Sequence, residues 1–208
     1  NPAGLTSLGS NIDAGLMHAE YFAGIAKYDY AGAAMELDTN SWFGATFIRF
    51  GVDDIPNTTD LIDKDGNIDY DRISKFSAAD YAFLISYARK SNIPELSYGA
   101  SVKIIYRNIG KFANAWGFGL DAGLQYQKND WRFGLLARDI TSTFNAWSFN
   151  EDELIVEVQD SIFNFAPENA LEITLPKVIL GVSRTFNVYQ DFIAMIELDA
   201  DFTFDGQR

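Results

Sequence analysis

The chain has 208 residues, with 16 Lys and Arg against 29 Asp and Glu, one His and no Cys, for a formal charge of −13. That acidity argues against nucleic-acid binding, which needs a basic face. The missing thiols exclude disulfide scaffolds, zinc–thiolate sites and cysteine nucleophiles, and a hydrophobic content of 48% with 17 Phe and 10 Tyr excludes a disordered chain.

Taken in order, the chain opens at Asn1-Pro2 without the charged and apolar regions of a leader. Asn11–Phe22 is a strand candidate of poor alternation, and Ile25–Glu36 follows it. Trp42 and Phe50 bracket a third strand through Arg49. Val52–Ser77 reads as a long connection holding a calcium-loop imitation. Setting Gly66 on the invariant glycine puts Asp63, Asp65, Asn67 and Asp69 at odd-position ligands. Leu61 then occupies the first ligand position and Arg72 the twelfth, where a bidentate Glu belongs. An acidic loop with an Asp-Gly turn is the simpler reading, loose divalent binding the sharper one.

Period-two alternation dominates the middle. Tyr81, Phe83, Ile85 and Tyr87 alternate with Asp80, Ser86 and Lys90. Tyr98, Ala100, Val102, Ile104 and Tyr106 oppose Ser97, Gly99, Ser101, Lys103, Ile105 and Arg107. Trp116, Phe118, Leu120, Ala122, Leu124 and Tyr126 oppose Gly117, Gly119, Asp121, Gly123 and Gln125. Those glycines share one strand face, so they are not the strand-to-helix turn of a dinucleotide loop. Trp131, Phe133, Leu135 and Ala137 alternate with Arg132, Gly134 and Arg138. Thr141–Ile173 reads as a second long connection. The last strand sets Phe192, Ala194, Ile196, Leu198 and Phe202 against Glu197, Asp199 and Asp201.

A soluble sandwich also alternates, but three features point to a transmembrane antiparallel β-barrel. The strands exceed the globular mode of about 5 to 6 residues and suit the roughly 9 to 11 of a tilted membrane strand. Aromatics end the apolar face on both sides. Tyr98 to Tyr106 spans roughly 26 Å at about 3.3 Å per residue, close to the apolar band of about 25 Å between girdles. Charges and glycines fall on the other face, which would line a polar interior. The expected lipid-facing set is therefore Tyr98, Val102, Ile104, Tyr106, Trp116, Phe118, Leu120, Leu124 and Tyr126. The expected lumen-facing set is Lys103, Arg107, Asp121, Arg132, Arg138, Glu197 and Asp199, with the acids of the last strand serving as lumen charge opposite the bases.

Tight turns are expected at 38–40, 91–95, 128–130 and 187–190, alternating with the two long connections as periplasmic turns alternate with extracellular loops. The count is about nine strands, whereas bacterial single-chain barrels are even. Asp205-Gly206-Gln207-Arg208 begins a new loop, so a fragment of a larger barrel is expected.

Asn1-Pro2-Ala3-Gly4-Leu5 resembles the N-terminal motif of the FadL-like outer-membrane transport superfamily. Phe50-Gly51-Val52-Asp53-Asp54-Ile55-Pro56, Ser86-Tyr87-Ala88-Arg89-Lys90, Tyr98-Gly99-Ala100-Ser101-Val102-Lys103 and Arg138-Asp139-Ile140-Thr141-Ser142-Thr143-Phe144-Asn145-Ala146-Trp147 resemble the PorV/PorQ family. The resemblance implies a FadL-like barrel of about 14 strands in the bacterial outer membrane. It also implies a hatch-like segment over Asn1–Ser10 and an accessory role in type IX secretion or cargo handling. The implied partners are outer-membrane lipid and lipopolysaccharide, with a translocon barrel or a secreted cargo protein. No cofactor is expected.

A FadL-like transporter of hydrophobic small molecules is the alternative. It requires an apolar pocket inside the barrel and the N-terminal segment folded inward. A lipid-modifying barrel enzyme is the third reading. His18 would have to serve it, and no nucleophile motif lies nearby, so a non-enzyme is expected. In the second connection Phe144, Trp147 and Phe149 read as a membrane girdle or, with Phe163 and Phe165, as a candidate partner loop. Thr141–Ile173 is expected to fold over the barrel mouth or pack on a partner barrel through Leu154, Ile155, Val156, Val158, Ile162, Phe163 and Phe165, the alternative being that the flanking strands extend beyond the membrane as a hairpin.

Overall fold

The computed structural model describes residues 1–62, 66–158, 161–164, 167, 170–189 and 192–204, with backbone alone for 156–158 and 161–163. The strands are β1 (Ile12–Tyr21), β2 (Ala26–Asp38), β3 (Ser41–Asn57), β4 (Ser74–Lys90), β5 (Leu96–Ile109), β6 (Ala113–Lys128) and β7 (Trp131–Arg138). After them come β8 (Thr143–Phe149), the short helix α1 (Glu151–Leu154), β9 (Ile155–Val158), β10 (Ser161–Asn164), β11 (Leu171–Thr174), β12 (Lys177–Tyr189) and β13 (Phe192–Thr203). The chain is all-β. An antiparallel meander runs β1-β2-β3-β4-β5-β6-β7-β12-β13, open between β1 and β13. That path holds nine strands, the number that alternation gives.

Register explains the two faces. In an antiparallel pair, opposed residues share a face, and Val102↔Leu120 and Tyr106↔Trp116 put the apolar parities of β5 and β6 together. On β5 burial alternates residue by residue: Ser97, Gly99, Ser101 and Lys103 are buried while Tyr98, Ala100, Val102 and Ile104 are exposed. One chamber is lined by Tyr30, Ile48, Leu84, Ile105, Asp121 and Leu136, which come from six successive strands. The face carrying them is therefore concave, and the apolar set lies on the outward face.

Three sequence expectations need correction. The long connection Thr141–Ile173 instead extends the wall at its two ends, through β8 and β11, while β9 and β10 pair with each other in a separate two-stranded sheet. β8 pairs with the first half of β6, from Ala113↔Phe149 to Phe118↔Phe144, and β11 pairs with β8. β7 pairs with the second half of β6, from Ala122↔Ala137 to Lys128↔Trp131. Gly119–Asp121 thus faces the longer stretch Arg138–Thr143, an enlarged bulge of six residues against three with Asp139 and Ser142 at φ 55° and 56°. Second, β12 continues to Tyr189 with a register shift at Asn187/Tyr189, so the tight turn is not at 187–190; residues 190 and 191 lie outside the described set. Third, long and short connections do not alternate strictly. β1 and β2 are joined by a short turn in which Phe22, Ala23 and Gly24 have positive φ, and β5 and β6 join across Gly110, also at positive φ.

Candidate functional site

Asn1–Ser7 lies inside the curl. Pro2–Ser7 forms 3-10 turns, with Pro at the first position and Asn1 as cap, its side chain accepting from Ala3 N. The Asn1 amide also donates to the carbonyls of Leu124 and Leu135, 3.0 and 3.1 Å away on β6 and β7. Gln125 Nε2 donates to Ser7 Oγ at 3.2 Å. Glycines make the floor. A Cβ on Gly99 would stand 2.8 Å from Ala3 N and from the Pro2 carbonyl carbon, and one on Gly44 would stand 3.3 Å from the Leu5 methyls. A Cβ on Gly123 would collide with the Asn1 side chain. Only glycine allows this close approach of two backbones.

Above that segment is a chamber of about 710 Å³. Leu5, Leu8, Ile48, Leu84, Ile105 and Leu136 give its apolar lining, and Lys103, Asp121, Arg138, Asp139 and Thr143 its charged end. Lys103 Nζ lies 2.8 Å from Asp121 Oδ1 and 2.5 Å from Asp139 Oδ1, with the three side chains 7%, 13% and 8% exposed. Asp121 Oδ1 accepts from the Asp139 backbone N–H at 2.8 Å, and Thr143 Oγ1 donates to Asp139 Oδ1. Lys103 thus ties Asp121 of β6 to Asp139 of the bulge, and Asp139 in turn holds Thr143 at the bulge's far end.

Each expected lumen residue lies on the concave face, but the charge pairs differ from those expected. Lys103 is held by Asp121 and Asp139, not by the β13 acids. Arg107 takes Asp80 at 2.9 Å and Glu172 at 2.8 Å. Arg138 Nε stands 3.7 Å from Asp139, and Arg132 donates to Gln127 at 3.4 Å. Asp201 pairs with Lys177. Glu197 and Asp199 line a second concave pocket of about 350 Å³ with Asn1 and Arg132. Sequence reasoning does not find Asp139, Gly44 or Ser7, because each acts through a contact far away in sequence, nor Thr143, which acts only through Asp139.

On the outward face Tyr98, Val102, Ile104, Trp116, Phe118 and Leu124 are exposed, and Tyr106, Leu120 and Tyr126 are half-buried. Tyr106 and Trp116 continue a register row through Tyr81, Arg49, Asp29 and His18. The row changes from aromatic on β4–β6 to charged on β1–β3. His18 Nδ1 lies 2.6 Å from Asp29 Oδ1 and its Nε2 3.5 Å from Glu20, while Arg49 donates to Asp29 at 3.1 Å.

The candidate partner loop does not act as one patch. Phe144 points outward beside Phe118 in the β6–β8 pair. Trp147 and Phe149 take the other parity and stack at 6.1 Å. Trp147 donates from Nε1 to Glu172 at 3.0 Å, under the Arg107 guanidinium. Phe163 is on β10, where side chains of 161–163 lie outside the described set, and Phe165 lies outside it altogether. Of the calcium-loop residues, Asp63 and Asp65 lie outside the described set. Asp69 caps a 3-10 turn by accepting from Asp71 N at 3.1 Å, and Ile62↔Ile68 bridges the loop. Among the described residues no cluster has metal-ligand geometry.

No family model matches the chain, and no curated protein matches it. Among solved structures it is similar to a TodX deltaS2S3 mutant monoaromatic hydrocarbon channel, at 11% identity and a TM-score of 0.47, covering 100% of this chain and 78% of that one.

Proposed function

We propose that the chain forms the wall of an outer-membrane β-barrel that passes small apolar or amphipathic molecules through a plugged lumen. The observation that carries this reading is the inward fold of Asn1–Ser7 beneath a part-apolar chamber of about 710 Å³. That volume is in the range of small-molecule sites, roughly 300–1,000 Å³. The outward face of β4–β6 supports the membrane half of the proposal, because its aliphatic band is closed by aromatics at both ends. Secretion accessory work, implied by the PorV/PorQ resemblance, needs an apolar partner surface at the loop end. Trp147 is instead engaged with Arg107 and Glu172, so transport is the better-supported reading.

Uptake of the hydrophobic dye N-phenylnaphthylamine by intact Gram-negative cells expressing the full chain tests the proposal. Uptake should exceed that of empty-vector cells several-fold, with a charged dye unaffected. A folded, heat-modifiable barrel that leaves dye uptake at the vector level would refute it. The plug has its own prediction. Gly99→Val would force a side chain into the Ala3 and Pro2 backbone, so the segment should leave its cradle. Uptake of both dyes should then rise, and Asn1–Ser10 should become cleavable by added protease in purified protein. An unchanged cleavage pattern would mean that the glycine floor does not hold the segment.

A further inference from the structure

We infer that the outward face at the tight-turn end binds one glycerophospholipid, with its phosphate between Lys128 and Arg184 and an acyl chain along the neighbouring groove. This rests on the membrane-wall reading. Lys128, Trp131 and Arg184 occupy one register row on β6, β7 and β12. Strands stand about 4.8 Å apart, so the two basic backbones are about 10 Å apart with the indole between them. The Arg184 guanidinium lies over Trp131 at 4.9 Å and Phe186 at 4.8 Å. Stacking fixes the guanidinium plane and leaves its N–H edge for an anion.

Lys27, Arg49, Lys75, Lys103, Arg107, Lys111 and Lys177 all have a carboxylate partner. Among the described residues Lys128 and Arg184, like Arg72, Arg89, Lys90 and Arg132, have none within 4.0 Å, in a chain of net charge −13. What sets these two apart is that they share one outward row beside an apolar groove. Asp130, in the turn between Lys128 and Trp131, is the nearest acid in sequence and makes no such pair. Glu197 lines the concave side, and Asp199 borders both the concave pocket and the far edge of the outward groove, on β13 and off the Lys128–Trp131–Arg184 row.

The groove continues from this row. It has a volume of about 580 Å³ and is lined by Leu124, Phe133, Leu135, Leu180, Val182 and Leu198. Its nearest members, Phe133 and Val182, pair across β7 and β12, two residues from Trp131 and Arg184, or about 7 Å along the strands. That offset leaves room for a glycerol backbone between phosphate and chain. An indole at the junction suits a site with one apolar and one wet end. A phosphate provides the charge that two free cations and an apolar groove together select.

The full chain in mild detergent can be titrated with phosphatidylglycerol and read by native mass spectrometry, with incorporation into vesicles measured alongside by heat-modifiability. Wild type should retain phosphatidylglycerol. The Lys128→Ala, Arg184→Ala double variant should lose retention ten-fold or more, and Leu135→Trp, which fills the groove, should lose a similar factor. Arg89→Ala, on the outward face of β4 away from the groove, should change nothing. Equal retention in the double variant, an equal loss in the Arg89 variant, or equal binding of diacylglycerol or of glycerol 3-phosphate would overturn the lipid site. A wild-type chain that never incorporates into vesicles would overturn the membrane reading and this site with it. Normal incorporation with no difference between variants would overturn the site alone.

Discussion

Lys103→Met is expected to destabilise the folded barrel by about 3–5 kcal/mol, the cost of removing one partner from a buried ion pair. Asp121 and Asp139 would be left 13% and 8% exposed without their cation. The carboxylate of Asp139 would keep only the Thr143 hydroxyl and the more distant Arg138 Nε, 3.7 Å away. The bulge is the part of the wall with the most to lose. Between Ala137 and Phe144 its backbone leaves the regular β6 ladder, keeping one bond, from Ile140 N to the Leu120 carbonyl at 2.8 Å, and two of its non-glycine residues have positive φ. Folding into lipid vesicles over a urea series reads the effect. The triple variant Lys103→Met, Asp121→Asn, Asp139→Asn removes the charges together and should recover most of the loss. If Lys103→Met alone folds as well as wild type, the lysine does not hold the bulge.

How much of this was readable from the chain depends on what each face touches. β5 and β6 were legible because one face meets an apolar surrounding and the other a polar one, so hydrophobicity itself alternates. β8 was not. Its concave parity is Thr143, Asn145, Trp147 and Phe149 and its outward parity Phe144, Ala146 and Ser148, so neither face reads as apolar. The acidic run Glu151–Glu153 that follows it, now the first turn of α1, added to the appearance of a loop. β3 was read as shorter than it is, because the pairing that carries it to Asn57 resumes past a register shift between Val52 and Ile55.

The candidate site was legible only in part. Period two places Lys103, Asp121 and Arg138 on one face, but choosing partners among them requires the register of three strands. Nothing local marks Asp139 as a partner of Lys103, since only the bulge brings its side chain inward. The glycines had the same status. Small residues on one face were evident at Gly99 and Gly123, yet the reason for them is a segment roughly a hundred residues away in sequence.

Arginine at Val102 or Leu120 is expected to cost about 2–4 kcal/mol of folding free energy in lipid, the penalty for a cation near the midplane on the lipid face of a barrel. The two residues oppose each other in the β5–β6 pair, midway between Tyr98 and Tyr106 on β5. A guanidinium there has several residues of apolar face on each side and cannot reach a headgroup by extending its side chain. The concave comparison site must be chosen with care. Gln125 has the right parity, but it is buried beneath the N-terminal segment and donates to Ser7, so Arg there would suffer from crowding unrelated to lipid. Thr46 lines the open chamber and supplies a site where a long side chain has space and polar neighbours. Thr46→Arg should therefore fold within about 1 kcal/mol of wild type, as for substitutions away from packed features. Repeating the series in detergent micelles separates lipid from packing: the Val102 and Leu120 penalties should shrink where surfactant adapts around the charge, while a packing defect would persist. Equal costs at Val102, Leu120 and Thr46 in vesicles would mean that the outward face does not meet lipid, because a two-sided soluble sheet has no reason to penalise one parity by its depth between two rows of aromatics.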